Sequence, residues 1–134
     1  MAKQLNIFNL SIDMMYNKKV FRHYNNPHNK GRLDKTSFVF EGKNPFCGDD
    51  IIIDIEVNEN NIITDVSWEG KGCAISQAAA SLFTEEIKNK NLDEIKTWDN
   101  KLILDLVDID LSPSRVKCAL LPLYAIKGID VEEM

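Results

Sequence analysis

The chain has 134 residues, of which 44% are hydrophobic and 28% charged, and its formal net charge at pH 7 is −5. This length and composition are typical of a single folded domain over residues 1–134. The acidic balance, with Lys and Arg scattered along the chain, disfavours a nucleic-acid partner. The longest uncharged stretch, 72–84, is too short to cross a bilayer, and the N-terminus lacks a signal-peptide pattern. We therefore expect a cytoplasmic protein without a membrane partner.

The first half of the chain predicts one helix followed by three strands. Apolar residues recur at helical spacing over 12–24, and Ser11 is a candidate N-cap for that helix. A short strand is predicted at 36–41. Alternating apolar residues then predict strands at 51–57 and 62–68, joined by a tight turn. Three successive strands with short connections predict an antiparallel meander.

The second half of the chain is predicted to be helical. Helical periodicity begins at 75 and continues to about 90. A short helix or turn is predicted at 92–98, and two further helices at 101–107 and 114–127. Strands followed by helices predict an α+β fold in which helices pack on one face of a three-stranded antiparallel sheet.

The three cysteines all lie at predicted element ends. Cys47 precedes the second strand, Cys73 enters the long helix, and Cys118 lies near the start of the last helix. An odd number of cysteines in a reducing compartment favours metal ligands, nucleophiles or buried fillers over disulfides. Pro122 cannot donate to the carbonyl of Cys118 four residues earlier, so we expect the backbone to kink or start afresh there.

Each candidate residue also has an ordinary structural interpretation. Cys118 lies in an apolar segment and fits a buried filler as well as a ligand. Cys47 and Cys73 stand in polar, glycine-bearing turns, which favours a chemical role, although no two cysteines have the tight spacing of zinc ribbons. Three other polar residues are interpreted as a solvated acid, a helix-surface residue and a loop residue: Asp50, His23 and His28.

Three motifs surround the cysteines in the order NPFCGDD, GKGCAIS and RVKCALL, with the cysteines 26 and then 45 positions apart. Together with the N-terminal segment VFRHYNNPHNKGRLD, they resemble the U-type iron–sulfur cluster assembly scaffold family, which comprises IscU, SufU and the N-terminal part of NifU. The resemblance implies an α+β fold. It also implies one metal site at which four ligands converge: Cys47, Asp49, Cys73 and Cys118.

The resemblance implies two functions from different classes. A scaffold would build a transient [2Fe–2S] cluster from iron and from sulfur supplied by a cysteine desulfurase, and would pass it to acceptor proteins. A carboxylate is a harder, weaker ligand than thiolate for such a cluster, which suits a cluster that must leave. The alternative is a SufU-type zinc-dependent sulfurtransferase, in which Cys47 accepts persulfide sulfur and Arg115 stabilises thiolate charge. We expect the scaffold, with Zn²⁺ as an occupant of the isolated protein.

Several features of the sequence match one branch of the family and differ from the other. Lys117 stands where IscU proteins have a histidine, and an ammonium cannot ligate metal. The RVKC run is similar to SufU, whereas the spacing of the last two cysteines is nearer that of IscU. The segment 111–117 differs from the IscU chaperone motif. Tyr16 matches a family position linked to self-association, so a homodimer is an open alternative. A purely structural zinc site is disfavoured, because such sites prefer closed sets of Cys and His.

Overall fold

The computed structural model of the protein describes residues 18–45 and 47–131. In this part of the chain a short helix comes first, a sheet follows, and the remaining elements are helices. Their bounds in chain order are α1 (Lys18–Asn25), β1 (Phe38–Asn44), β2 (Asp49–Val57), β3 (Ile63–Lys71), α2 (Ala74–Ile87), α3 (Leu92–Ile95), α4 (Asn100–Val107) and α5 (Pro113–Lys127).

The three strands form one antiparallel sheet in the order β1-β2-β3, which confirms the predicted meander and the α+β class. The strands extend past their predicted ends, so that Asn44 lies opposite Asp49 and Asp50 lies opposite Lys71. The hydrophobic pattern missed these ends because Asn and Asp are poor strand formers, whereas ladder pairing uses only the backbone. The end of β1, the start of β2 and the end of β3 therefore meet at one edge of the sheet.

The core lies between one face of this sheet and the helices. Alternate β2 residues Ile51, Ile53 and Ile55 point into it, together with Trp68 from β3. Helix α5 packs against β1 and β2, and α2 packs against β3. Helices on one face of the sheet were predicted, and the structure confirms this arrangement. The two helices thereby bring their N-terminal ends into the neighbourhood of the strand ends.

The opposite face of β2 carries a buried carboxylate. Asp54 is 1% exposed and accepts hydrogen bonds from Arg32 Nε at 2.6 Å, from Arg32 Nη2 at 3.0 Å and from the Leu33 amide at 3.0 Å. These bonds tie the segment between α1 and β1 to the sheet.

Helix bounds agree with the periodicity apart from their ends. The predicted helix at 12–24 begins outside the described residues. Ser11 and Tyr16 also lie outside them. Helix α2 ends at Ile87, before the predicted limit near 90, and Asn89 then adopts a left-handed φ of 66°. None of the helices in the described ranges has the length and apolar character needed to span a bilayer.

Helix α5 continues through Pro122, so the backbone does not start afresh near Cys118, and the other predicted outcome, a kink, stays a prediction. Pro122 does remove one backbone donor from the helix. Every residue from Cys118 to Ile126 is nevertheless buried, and this packing holds the helix together across the missing bond.

Candidate metal centre

The turn between β1 and β2 presents Cys47 to solvent. The carbonyl oxygen of Asn44 accepts hydrogen bonds from the Cys47 amide at 3.2 Å and from the Gly48 amide at 2.9 Å. Gly48 has a φ of 73°, in the left-handed region that side chains disfavour. The turn closes directly onto the Asn44–Asp49 pair and leaves the Cys47 thiol exposed at its rim.

Asp49 places a carboxylate inside the protein at the first position of β2. The residue is 2% exposed, and its Oδ1 accepts a hydrogen bond from the Cys73 amide at 3.3 Å. Its Oδ2 is buried and has no hydrogen-bond partner among the described residues. Burial of an unpaired carboxylate oxygen is costly, and buried charges are normally paired or bind a cation.

Gly72 makes room for this carboxylate. A Cβ atom at position 72 would lie 2.3 Å from Asp49 Oδ1 and 2.3 Å from Ser76 Oγ. No side chain fits that space, because real Cβ contacts do not come so close. The absence of a side chain at Gly72 therefore lets the start of α2 approach Asp49.

Cys118 lies on α5 at the bottom of the site and is 1% exposed. Its Sγ donates to the Ser114 carbonyl at 3.6 Å, and the Asn44 side-chain amide donates to this sulfur at 3.8 Å. Burial raises the pKa of the Cys118 thiol, and the neighbouring Asp49 carboxylate and Cys73 thiol raise it further. A cation that replaces this proton would relieve the crowding of acidic groups, since metal ligands bind as thiolates.

The side chains of Cys47, Asp49 and Cys118 converge on one point. One ligand atom from each lies within 4.8 Å of the other two. A tetrahedral zinc ion with Zn–S bonds near 2.3 Å holds its sulfur atoms about 3.8 Å apart. The two thiols and one oxygen of the Asp49 carboxylate thus fit a four-coordinate metal, and they are chemically suited to zinc or to iron in an iron–sulfur cluster.

Cys73 stands next to this group without joining it. It is the N-cap residue of α2, is half-buried, and binds Asp49 through its backbone amide. Its thiol is close enough to Cys118 to contribute to the raised pKa of that residue. The fourth ligand role that the family resemblance assigns to Cys73 stays a prediction.

Other sequence predictions lie outside the three-residue group. Arg115 is half-buried one helical turn before Cys118, and its charge-stabilising role stays a prediction.

Asp50 is not simply solvated, because its carboxylate contacts Lys71 Nζ at 3.8 Å and accepts a hydrogen bond from the Lys71 amide at 3.3 Å. His23 is half-buried, and its Nδ1 forms a hydrogen bond with Ser81 Oγ at 2.5 Å. The exposed His28 lies 3.4 Å from the Glu85 carboxylate.

One residue of the site was not singled out in the sequence. Asn44 is 0% exposed and contacts both the Cys47 turn and the Cys118 sulfur. The only signal was its position in the NPFCGDD motif, where Asn before Pro indicates a turn and says nothing about a buried amide.

Comparison with known proteins decides the family. The model of the NifU-like N terminal domain matches residues 15–129. The chain belongs to this family. The resemblance to the U-type scaffold family that the cysteine motifs carry is thereby confirmed.

Relatives from both branches of the family are similar in sequence. The zinc-dependent sulfurtransferase SufU of Bacillus subtilis (strain 168) is 36% identical over 146 residues, covering 94% of this chain and 97% of SufU. The iron–sulfur cluster assembly scaffold protein IscU of Haemophilus influenzae is 40% identical over 118 residues, covering 86% of this chain and 92% of IscU. Family membership alone therefore does not choose between the scaffold and the sulfurtransferase.

Solved structures share the fold. A putative iron–sulfur cluster assembly scaffold protein for the SUF system from Fervidobacterium islandicum AW-1 has a TM-score of 0.71 and 28% identity, covering 87% of this chain and 96% of that one. A nitrogen-fixing NifU-like protein (N-terminal) from Brucella abortus has a TM-score of 0.69 at 19% identity, covering 87% and 92%, and shows the fold alone.

Proposed function

We propose that this chain is an iron–sulfur cluster assembly scaffold that accepts sulfur from a cysteine desulfurase. It builds a transient [2Fe–2S] cluster on Cys47, Asp49, Cys73 and Cys118 and passes it to acceptor apo-proteins. The observation that carries this proposal concerns the buried Asp49: its Oδ2 has no hydrogen-bond partner among the described residues, and one of its carboxylate oxygens lies within 4.8 Å of two thiols. A structural role does not explain why one oxygen of this carboxylate is buried there without a donor.

The exposure of the ligands supports a cluster that arrives and leaves. Cys118 is buried at the bottom of the site, whereas Cys47 is exposed at the rim. A cluster is the cargo of this site, and it can be reached by a partner from the Cys47 side. Asp49 supplies a carboxylate, which binds these iron ions more weakly than a third or fourth thiolate would.

The length of the alignments favours the scaffold branch. The alignment with SufU runs over 146 positions, more than the 134 residues of this chain, so SufU has residues that this chain lacks. The alignments with IscU proteins run over 118 positions at 38 to 40% identity and cover 86% of this chain, so they contain few gaps. This compactness agrees with the short spacing between Cys73 and Cys118.

The second candidate is a zinc-dependent sulfurtransferase, favoured by the RVKC run and by Lys117. In this case the Cys47 thiolate attacks the outer sulfur of the desulfurase persulfide. The persulfide S–S bond breaks, its electron pair leaves with the desulfurase cysteine as thiolate, and a new S–S bond forms on Cys47 without net oxidation. A zinc ion bound by the site residues would keep the thiolates deprotonated. Arg115, half-buried, would supply positive charge near them.

Reconstitution under anaerobic conditions tests the proposal. The protein is incubated with iron, cysteine, a cysteine desulfurase and a thiol reductant, which reduces the delivered sulfane sulfur to sulfide, and the visible spectrum is followed before and after apo-ferredoxin is added. We expect sulfur-to-iron charge-transfer bands that move to the ferredoxin. A matched protein with Cys47→Ser and Cys118→Ser should form no such bands.

The contrary result identifies the sulfurtransferase. Stoichiometric zinc that iron does not replace, together with a strong increase in desulfurase turnover, would reject the scaffold and support the second candidate. Metal analysis of the same samples distinguishes the two, because the visible bands require iron and zinc has none.

A further inference from the structure

We propose that Asn44 is a positioning residue of the metal centre, whose side-chain amide donates to the Cys118 sulfur and orients it while its backbone shapes the Cys47 turn. This role rests on the metal site proposed above.

The side chain of Asn44 is oriented by burial. The residue is 0% exposed at the end of β1, and its Nδ2 donates to Cys118 Sγ at 3.8 Å. A buried amide that lacks hydrogen bonds is costly, so an Asn is retained in such a place when its polar atoms have partners. Sulfur is a weak acceptor as a thiol and a stronger one as a charged thiolate. The hydrogen bond therefore fixes the direction of the Cys118 sulfur, and it would strengthen once that sulfur binds a metal as thiolate.

The backbone of Asn44 reaches two more of the predicted ligands. Its carbonyl oxygen accepts from the Cys47 and Gly48 amides, and its ladder partner in β2 is Asp49. One residue thus contacts three of the four positions that the family resemblance assigns to the metal. Leu has a similar volume and the same backbone groups but no amide. Asn44→Leu therefore removes the side-chain amide and its contact to sulfur, while it keeps the backbone groups that shape the turn.

Cobalt and zinc binding to the isolated protein test this role. The Asn44→Leu protein is titrated with Co²⁺ to record the sulfur-to-cobalt charge-transfer band, and its Zn²⁺ affinity is measured by competition with a chromophoric chelator. We expect zinc to bind about 10- to 100-fold more weakly, as is usual when a residue that orients a ligand is lost. We also expect the band to move to longer wavelength, because a thiolate without its hydrogen bond holds its electrons less tightly. Asn44→Ala, which introduces a smaller side chain, should give the same band shift and replaces the leucine variant in this test if that variant folds poorly.

Asn91→Ala is the control for a general loss of stability. Asn91 caps α3 through a hydrogen bond from the Asp93 amide at 2.8 Å and lies beside Ile62, at the opposite end of the sheet. This variant should unfold at lower temperature with an unchanged cobalt band. A folded Asn44→Leu protein with a wild-type band and a zinc affinity within about twofold of wild type would overturn the role of Asn44. An equal band shift in Asn91→Ala would overturn it too. Failure of the wild-type protein to bind either metal would instead contradict the metal site itself.

Discussion

At Asp49 the proposed metal binding and the stability of the fold make opposite demands. Its carboxylate is buried, yet only one of its two oxygens has a hydrogen-bond partner among the described residues. A group selected for stability alone would be fully paired or apolar, since an unsatisfied buried polar atom costs about 1 to 3 kcal/mol.

Replacing Asp49 with Ala should therefore separate the two demands. In the metal-free protein we expect Asp49→Ala to leave the free energy of unfolding unchanged or to raise it by about 1 kcal/mol, because the unsatisfied oxygen is removed. The same change should weaken metal binding and alter the rate at which an assembled cluster is released to an acceptor. Denaturant titration of the metal-free protein and cluster-transfer kinetics measure the two effects.

Asp50 is the matched control for Asp49. Its carboxylate is partly exposed and pairs with Lys71 across β2 and β3, an arrangement that contributes little to stability. Asp50→Ala should change both measurements only slightly. Equal effects of the two substitutions, or none from either, would show that Asp49 is not a ligand.

At the scale of elements, the hydrogen-bonded Asp54 holds the segment before β1 on the outer face of the sheet. Asp54→Ala removes the acceptor for Arg32 and for the Leu33 amide, and should lower the free energy of unfolding by about 2 kcal/mol at pH 7. Lys101→Met, which breaks the exposed Lys101–Asp105 pair on α4, is the control and should change stability little. Thermal unfolding of both variants provides the measurement.

The Asp54 effect should depend on pH in one direction. The hydrogen bond from Arg32 lowers the pKa of Asp54 in the folded protein, against the opposing effect of burial. A carboxyl with a lowered pKa stabilises the fold above its ordinary pKa near 4, and that contribution is lost as the pH falls through the lower folded value. The stability difference between wild type and Asp54→Ala should be constant at neutral pH and shrink in acid. A difference that grows in acid would contradict the assignment.

Gly72 connects β3 to α2 with no room for a side chain. Gly72→Ala should push the Asp49 carboxylate away from its present position and so weaken metal binding. Gly128→Ala, at the left-handed end of α5, places its Cβ in open space and should cost about 1 kcal/mol of stability from backbone strain while leaving metal affinity unchanged. Zinc competition and thermal unfolding of the two variants are compared. Loss of metal affinity in both would mean that the effect at Gly72 is only general destabilisation.

The order of elements was predictable from the sequence, whereas their ends were less so. Alternation located β2 and β3 because Ile and Val fall on every second position, and periodicity located α2 and α5. The ends of strands were not predicted where polar residues such as Asp49 continue the backbone pairing of the sheet. A new start of the backbone at Pro122 was one predicted outcome and does not occur, because a local rule on backbone donors takes no account of the packing that surrounds α5.

The candidate site was predicted only where motif spacing carries information. The family motifs indicated Cys47, Asp49 and Cys118, which the fold brings together from distant positions. Neither the burial of Asp49 nor the amide contact of Asn44 was predictable, because both depend on how α5 and α2 lie against the ends of the strands. Long-range packing of this kind leaves no local pattern in the sequence.

At the scale of the molecule, the proposed centre connects the β1–β2 turn, β2 and α5. A metal that binds only the folded state should stabilise the whole protein, by about 2.7 kcal/mol at a free concentration 100 times the dissociation constant. Adding Zn²⁺ should therefore raise the unfolding temperature, and a chelator should lower it again. Cys118→Ser should lose most of this response. An unfolding temperature that does not depend on metal would contradict a centre shared by these elements.

X-ray absorption at the zinc edge tests most directly the claim that Cys47, Asp49, Cys73 and Cys118 form one centre. We predict three sulfur ligands at about 2.3 Å and one oxygen ligand at about 2.0 to 2.2 Å in the zinc-loaded protein. Cys118→Ser should lose one sulfur, and Asp49→Ala should keep all three. A spectrum with fewer than three sulfur ligands in the wild-type protein, or one that the Cys118→Ser change leaves untouched, would contradict the four-residue centre.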